Sequence, residues 1–143
     1  MHAPPLPVLE AFGARTEATQ LAGGEGNSWR SDGLVFKPVS GVALHEWTSR
    51  ILERMRPEGF RISRPVRTRQ GRFVQDGWSA SVFESGGHVR GRWPEKLHVA
   101  AAFHATLAGM QTEPAPVADN PWSRAHDIVW RLSSFAMIQQ SSG

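Results

Sequence analysis

The period of apolar and polar positions changes along the chain, and each change marks an element. Pro4, Pro5 and Pro7 lead into Val8, Leu9 and Phe12 before Gly13, which predicts a short helix opened by proline and stopped by glycine. Extended segments follow at Thr19 to Ala22 and at Ser28-Trp29-Arg30, with the run Gly23-Gly24-Glu25-Gly26-Asn27 between them. Asp32-Gly33 predicts a tight turn into a third strand, Leu34 to Val39. Pro38 has no amide hydrogen and must lie at an edge or strand end. From Val42 to Met55 the period becomes helical, with Leu44, Trp47, Ile51, Leu52 and Met55 on one face. Phe60 to Val66, Arg72 to Gln75 and Trp78 to Phe83 read as three more strands, with turns at Gln70-Gly71 and Asp76-Gly77.

After Glu84-Ser85-Gly86-Gly87 the pattern becomes helical again. Pro94 opens a helix to about Leu107, with Leu97, Ala100, Ala101, His104 and Leu107 or Ala108 facing inward. A further helix is expected from Asn120 as cap and Pro121, with the stripe Trp122, Ala125, Val129, Leu132 and Ala136. The sequence predicts an α+β chain, with strands, a short first helix and one longer helix over residues 1–86 and helices over 87–143.

Composition narrows the classes. The 143 residues suffice for one domain with a core, and ten prolines with fourteen glycines fit frequent turns. No cysteine is present, which excludes disulfides and thiolate metal sites and fits a reducing compartment. No basic leader and no long apolar run is found, so neither export nor membrane spanning is expected and the chain reads as cytoplasmic. Net charge is only +3, and the pI near 10.5 reflects arginine and the absence of tyrosine. Arg61, Arg64, Arg67, Arg69 and Arg72 read first as a solvated strand face, with a phosphate-binding groove as the alternative; nucleic acid is not the expected partner.

Candidate chemistry lies in the first half. A strand, a glycine-rich turn and a returning strand can lay unhindered amides over phosphate oxygens, although the same pattern also serves plain hairpins. Lys37 is one of only two lysines beside fourteen arginines, and it stands inside an apolar strand. A compact ammonium on a flexible stem suits contact with phosphates in a crowded site; an edge-strand lysine with its head in water is the other reading. Glu46, early in the Val42 to Met55 helix, is the first candidate to hold that lysine and Glu53 the second, while an exposed Glu46/Arg50 pair would equally explain Glu46.

Gly23 to Trp29, then Leu34-Val35-Phe36-Lys37-Pro38-Val39, then a helix bearing Glu46, together resemble the N-terminal lobe of the aminoglycoside phosphotransferase-like group within the protein-kinase-like fold. The likeness extends through Gly59-Phe60, Pro65-Val66 and Asp76-Gly77-Trp78 to Ala102-Phe103-His104-Ala105-Thr106-Leu107, which is similar to the first helix of that group's C-terminal lobe. The resemblance implies an antiparallel sheet of about five strands with one packed helix, followed by the first helices of an incomplete C-lobe. It further implies ATP as cofactor, with Gly23, Gly24, Glu25, Gly26 and Asn27 covering its phosphates, Lys37 touching them and Glu46 as partner to Lys37. The backbone from Phe83 through Glu84 and Ser85 would be the hinge meeting adenine, and His104 a packed helix residue.

Phosphoryl transfer also needs an aspartate for the acceptor hydroxyl and ligands for Mg²⁺. In that group they lie downstream of the hinge, where this sequence offers only Asp119, Asp127 and Asn120. Asn120 precedes proline as a cap and His126-Asp127 falls in a helical stripe, so no catalytic base and no metal ligand is assigned. The expectation is the ATP-binding portion of a truncated small-molecule phosphotransferase, inactive alone, with nucleotide as partner and a separate C-lobe or a second copy as a further one. A non-catalytic module that binds nucleotide or protein is the alternative.

Overall fold

The computed structural model describes residues 2–23, 25–86, 90–116 and 124–125. Gly24 and the helix expected from Asn120, with Asp119, His126 and Asp127, lie outside the described residues. Helix α1 (Leu6–Ala11) begins after Pro5 with Pro7 in its first turn. It ends in a paired stop: Gly13, at φ +85°, donates to the Glu10 carbonyl at 3.0 Å, and Ala14 to the Leu9 carbonyl at 2.9 Å. Only a residue that tolerates positive φ can make that stop, hence glycine.

Among the described residues six strands form one antiparallel sheet: β1 (Thr19–Gln20), β2 (Trp29–Ser31), β3 (Leu34–Pro38), β4 (Pro65–Val66), β5 (Val74–Gln75) and β6 (Trp78–Val82). The order is β1-β2-β3-β6-β4, and β5 pairs with β6 beyond β4 on the same edge. The Asp-Gly dipeptides make the two tight hairpins, with φ +48° and +77° at Asp32-Gly33 and +49° and +77° at Asp76-Gly77. Both residues take left-handed backbone, as turns matching the twist of the strands require. The Asp32 carboxylate also accepts from the Arg15 and Thr16 amides and the Thr16 hydroxyl, tying the segment after α1 to the first turn.

The Val39 N–H bonds to the Gly77 carbonyl and the Phe83 N–H to the Gly33 carbonyl, so the odd-numbered residues of β3 exchange bonds with β6. The imide nitrogen of Pro38 therefore turns to the other side, where pairing with β2 has already ended at Phe36, and no ladder bond is lost.

The alternation gives the sheet two unlike faces. Trp29, Phe36 and Ala80 share one face, and Phe36 and Ala80 are buried there with Val8, Leu9, Phe12 and Ala14 of the α1 segment. Phe12 meets Phe36 edge to face at 5.7 Å, a favoured aromatic geometry. The buried Trp29 indole N–H has no partner among the described residues. Arg30, Val35, Lys37, Ser79 and Ser81 stand on the opposite face.

Helix α2 (Val42–Arg54) buries Ser49 and Ile51, with Met55 just past its end. The Arg64 guanidinium donates to the Met55 and Glu53 carbonyls at 3.3 and 3.5 Å, where the helix terminus favours a cation. Leu44, expected inside, is exposed, and Trp47 is half-buried with its indole N–H on the Glu113 carbonyl at 2.8 Å.

Helix α3 (Trp93–Ala108) departs from its expected facing. Leu97, Ala100, Ala101 and His104 are exposed, and the partly covered positions are Ala102, Phe103, Thr106 and Leu107. Phe103 packs edge to face on Phe60 at 5.7 Å, and that contact sets the helix rotation. It also explains the short β4: Phe60 belongs to α3, and the expected strand from Phe60 pairs only at Pro65–Val66.

Candidate functional site

The face of the sheet away from α1 carries the residues that sequence reasoning singled out. Lys37 is exposed there and makes no ion pair among the described residues. Its row pairs with Ser79 of β6, whose hydroxyl donates to the Lys37 carbonyl at 3.3 Å. Trp29 pairs with Phe36, so one row nearer the glycine turn the register puts Ser28 beside Lys37. The Leu21 N–H reaches the Ser28 carbonyl at 2.9 Å, closing the β1–β2 ladder at the turn. Lys37 and the glycine turn thus lie at the same end of the sheet.

Within the turn, Gly23 has φ +99° and Gly26 φ +68°. The Gln20 side-chain amide donates to the Gly26 carbonyl at 2.6 Å, and the Asn27 amide to the Glu25 carboxylate at 3.3 Å. A side chain at Gly23 would meet nothing within 4 Å, so the left-handed backbone rather than crowding calls for glycine there.

Glu46 is half-buried, and its carboxylate accepts from the Phe73 amide at 3.2 Å instead of pairing with Lys37. His45 beside it is held below its ordinary pKa by burial, partly offset by the Glu46 charge. The second candidate, Glu53, forms a two-pronged ion pair with Arg67 at 2.7 and 2.9 Å. That bond holds the Glu53 carboxyl below the usual range and raises Arg67. Neither carboxylate meets Lys37 in this arrangement.

At the other end of the sheet β6 runs into the segment Phe83 to Ser85. The Phe83 amide reaches the Gly33 carbonyl at 2.8 Å, Glu84 is exposed and lies 3.8 Å from Arg61, and Ser85 is exposed. Phe83 continues the alternation of Ser79 and Ser81, so its ring belongs to the Lys37 face. Arg30 lies over that ring, its guanidinium carbon 3.9 Å from the centroid. Phe83 is four residues from the Lys37 row, roughly 13 Å along the strand. Arg30 was not singled out from the sequence, although strand alternation already placed it on the face of Lys37.

All five arginines of the arginine-rich segment are exposed, and Arg64 and Arg67 among them also make contacts within the molecule. Arg64 caps α2, and Arg67 holds Glu53 and the Gly71 carbonyl while lying 4.1 Å over the Phe73 ring. A groove of about 220 Å³ between α2 and the segment after α3 is lined by Trp47, Arg50, Glu53, Arg67 and Glu113; it lies apart from the glycine turn. Among the described residues no three His, Asp or Glu side chains converge as a metal-holding group, and no helix is long and apolar enough to cross a membrane.

No family model matches the chain, and comparison with curated proteins and with solved structures gives no significant match.

Proposed function

We propose that this chain is the ATP-binding portion of a kinase-like phosphotransferase of the aminoglycoside phosphotransferase type, whose acceptor would be a small-molecule hydroxyl. The observation that carries the reading is the setting of Lys37. It is exposed, makes no ion pair among the described residues, and lies at the end of the sheet where the glycine turn closes β1 on β2. Amides of Gly23 to Asn27 would cover the phosphates, Lys37 would neutralise them, and the backbone at Phe83, Glu84 and Ser85 would meet the base. Mg²⁺ would supply charge neutralisation for the phosphates; no residue of this chain is assigned to hold it. A carboxylate held ready for Lys37 is part of the expectation, and Glu46 meets it only by leaving the Phe73 amide.

Support also comes from the sequence of elements. Strand, glycine turn, strand, tight turn, lysine strand, helix and strands ending at a hinge follow in the order the resemblance implies. A second reading, a non-catalytic module for nucleotide or protein, is favoured by the exposed apolar residues Trp93 and Leu97 of α3, each at 68%.

Calorimetric titration of ATP with and without Mg²⁺, repeated with Lys37→Ala, tests the proposal. Saturable binding weakened about tenfold by the substitution, roughly 1.4 kcal/mol, supports it. Absence of binding by a folded chain at millimolar ATP rejects it. Turnover of ATP with a hydroxyl acceptor separates the transferase from the binding module.

A further inference from the structure

The two ends of the sheet face that carries Lys37 differ in a way that bears on what the site selects. Lys37 occupies the end at the glycine turn, and Arg30 the end at Phe83. Arg30 pairs with Val35, two residues before Lys37, so the two cations are diagonal neighbours on adjacent strands, with backbones about 7–8 Å apart. Neither makes an ion pair among the described residues. The only interaction of the Arg30 side chain there is with the Phe83 ring.

A guanidinium 3.9 Å over an aromatic ring occupies a surface on which a purine could otherwise stack. With no ion pair or hydrogen bond of its own among the described residues, the Arg30 guanidinium keeps its N–H donors for an anion. We propose that Arg30 closes the base end of the site and serves as its second cation. The ligand is then recognised by its polyphosphate chain, bridged between Lys37 and Arg30, with little regard to the base. The inference rests on the phosphate-binding part of the nucleotide-site reading above, replaces its contact to the base, and sets the ligand class as polyphosphate esters and polyphosphate itself. Phe83 acts as the platform that fixes Arg30.

The test is calorimetric titration of the full chain with ATP, CTP, inorganic tripolyphosphate and adenosine, on the wild type and on Arg30→Ala, Arg30→Gln and Lys37→Ala. Circular dichroism establishes that each variant is folded. ATP, CTP and tripolyphosphate should bind within about threefold of one another, adenosine should not saturate, and Arg30→Ala should weaken tripolyphosphate about tenfold. Arg30→Gln should behave as Arg30→Ala does, and it is the variant to read if the alanine chain is unfolded. ATP binding more than about tenfold tighter than CTP and tripolyphosphate would overturn the proposal. So would saturable adenosine binding, or tripolyphosphate affinity unchanged by loss of Arg30. If Lys37→Ala weakens ATP while the Arg30 variants do not, the nucleotide site stands and the role of Arg30 falls. If no ligand binds the folded chain, both fall.

Discussion

Phe36 and Lys37 are consecutive residues of β3 on opposite faces of the sheet, and substituting each by alanine separates packing from binding. Phe36 is fully buried among Val8, Leu9, Phe12, Ala14 and Ala80. Truncating a buried phenylalanine removes its transfer free energy and leaves a cavity, together about 3–5 kcal/mol. A domain of this size is stable by only about 5–15 kcal/mol, so Phe36→Ala removes a large share. With a urea slope of about 2 kcal/mol/M, the midpoint should fall by about 2 M. Lys37 is exposed and unpaired among the described residues, so Lys37→Ala should shift stability by no more than about 0.5 kcal/mol. The assay is urea denaturation followed by tryptophan fluorescence and circular dichroism together. A double-mutant cycle of Phe12→Leu and Phe36→Leu should return a coupling of about 0.5–1.5 kcal/mol from the edge-to-face pair. The reasoning is refuted if Lys37→Ala destabilises as much as Phe36→Ala, or if Phe36→Ala leaves the midpoint in place, because the two faces would then be misassigned.

Further outcomes follow from single contacts. Trp29→Phe removes a buried indole N–H with no described partner, a deficit of about 1–3 kcal/mol that offsets the packing lost where Trp29 borders the core, so its melting temperature should stay close to the wild type; a drop as large as that of Phe36→Ala would contradict this. Hydrogen bonds from the Arg15 and Thr16 amides and the Thr16 hydroxyl hold the Asp32 carboxyl below its ordinary pKa, so its contribution is present at neutral pH and is lost as pH falls through the lowered value; Asp32→Asn should flatten the acid limb of the stability curve. Burial likewise lowers His45, so the folded state resists its protonation and stability should decline as pH falls below the ordinary histidine value of about 6.5, a slope that His45→Gln removes. The Glu53–Arg67 pair is two-pronged but exposed, so Glu53→Gln should cost about 0.5–1 kcal/mol at low salt and less at high salt, measured by paired denaturations.

Where local chemistry decides the backbone, the sequence was legible. Two Asp-Gly pairs each demand positive φ at adjacent positions, and both form the hairpins expected of them. Pro38 and the opposed faces of Phe36 and Lys37 follow from strand alternation alone. Contacts distant along the chain were not legible. Glu46 bonds to an amide delivered by the turn before β5, which no spacing within α2 announces. The strand expected from Phe60 is shortened because Phe60 packs on Phe103. Helix α3 carries apolar residues around much of its circumference, so its pattern leaves the facing underdetermined. Arg30 was passed over because a charged strand residue reads as solvated until its aromatic partner is in place.

The central claim is that the sheet face bearing Lys37, together with the glycine turn, binds the phosphates of a nucleotide. Amide chemical shifts of the labelled chain, recorded during an ATP titration with Mg²⁺, test it most directly. The account predicts saturable shifts confined to the glycine turn and β2 from Leu21 to Arg30, to β3 around Lys37 and to β6 and the segment after it from Ser79 to Ser85. Shifts centred instead on the α1 segment or on the arginine-rich stretch from Arg61 to Arg72, or none at millimolar ATP, would contradict it.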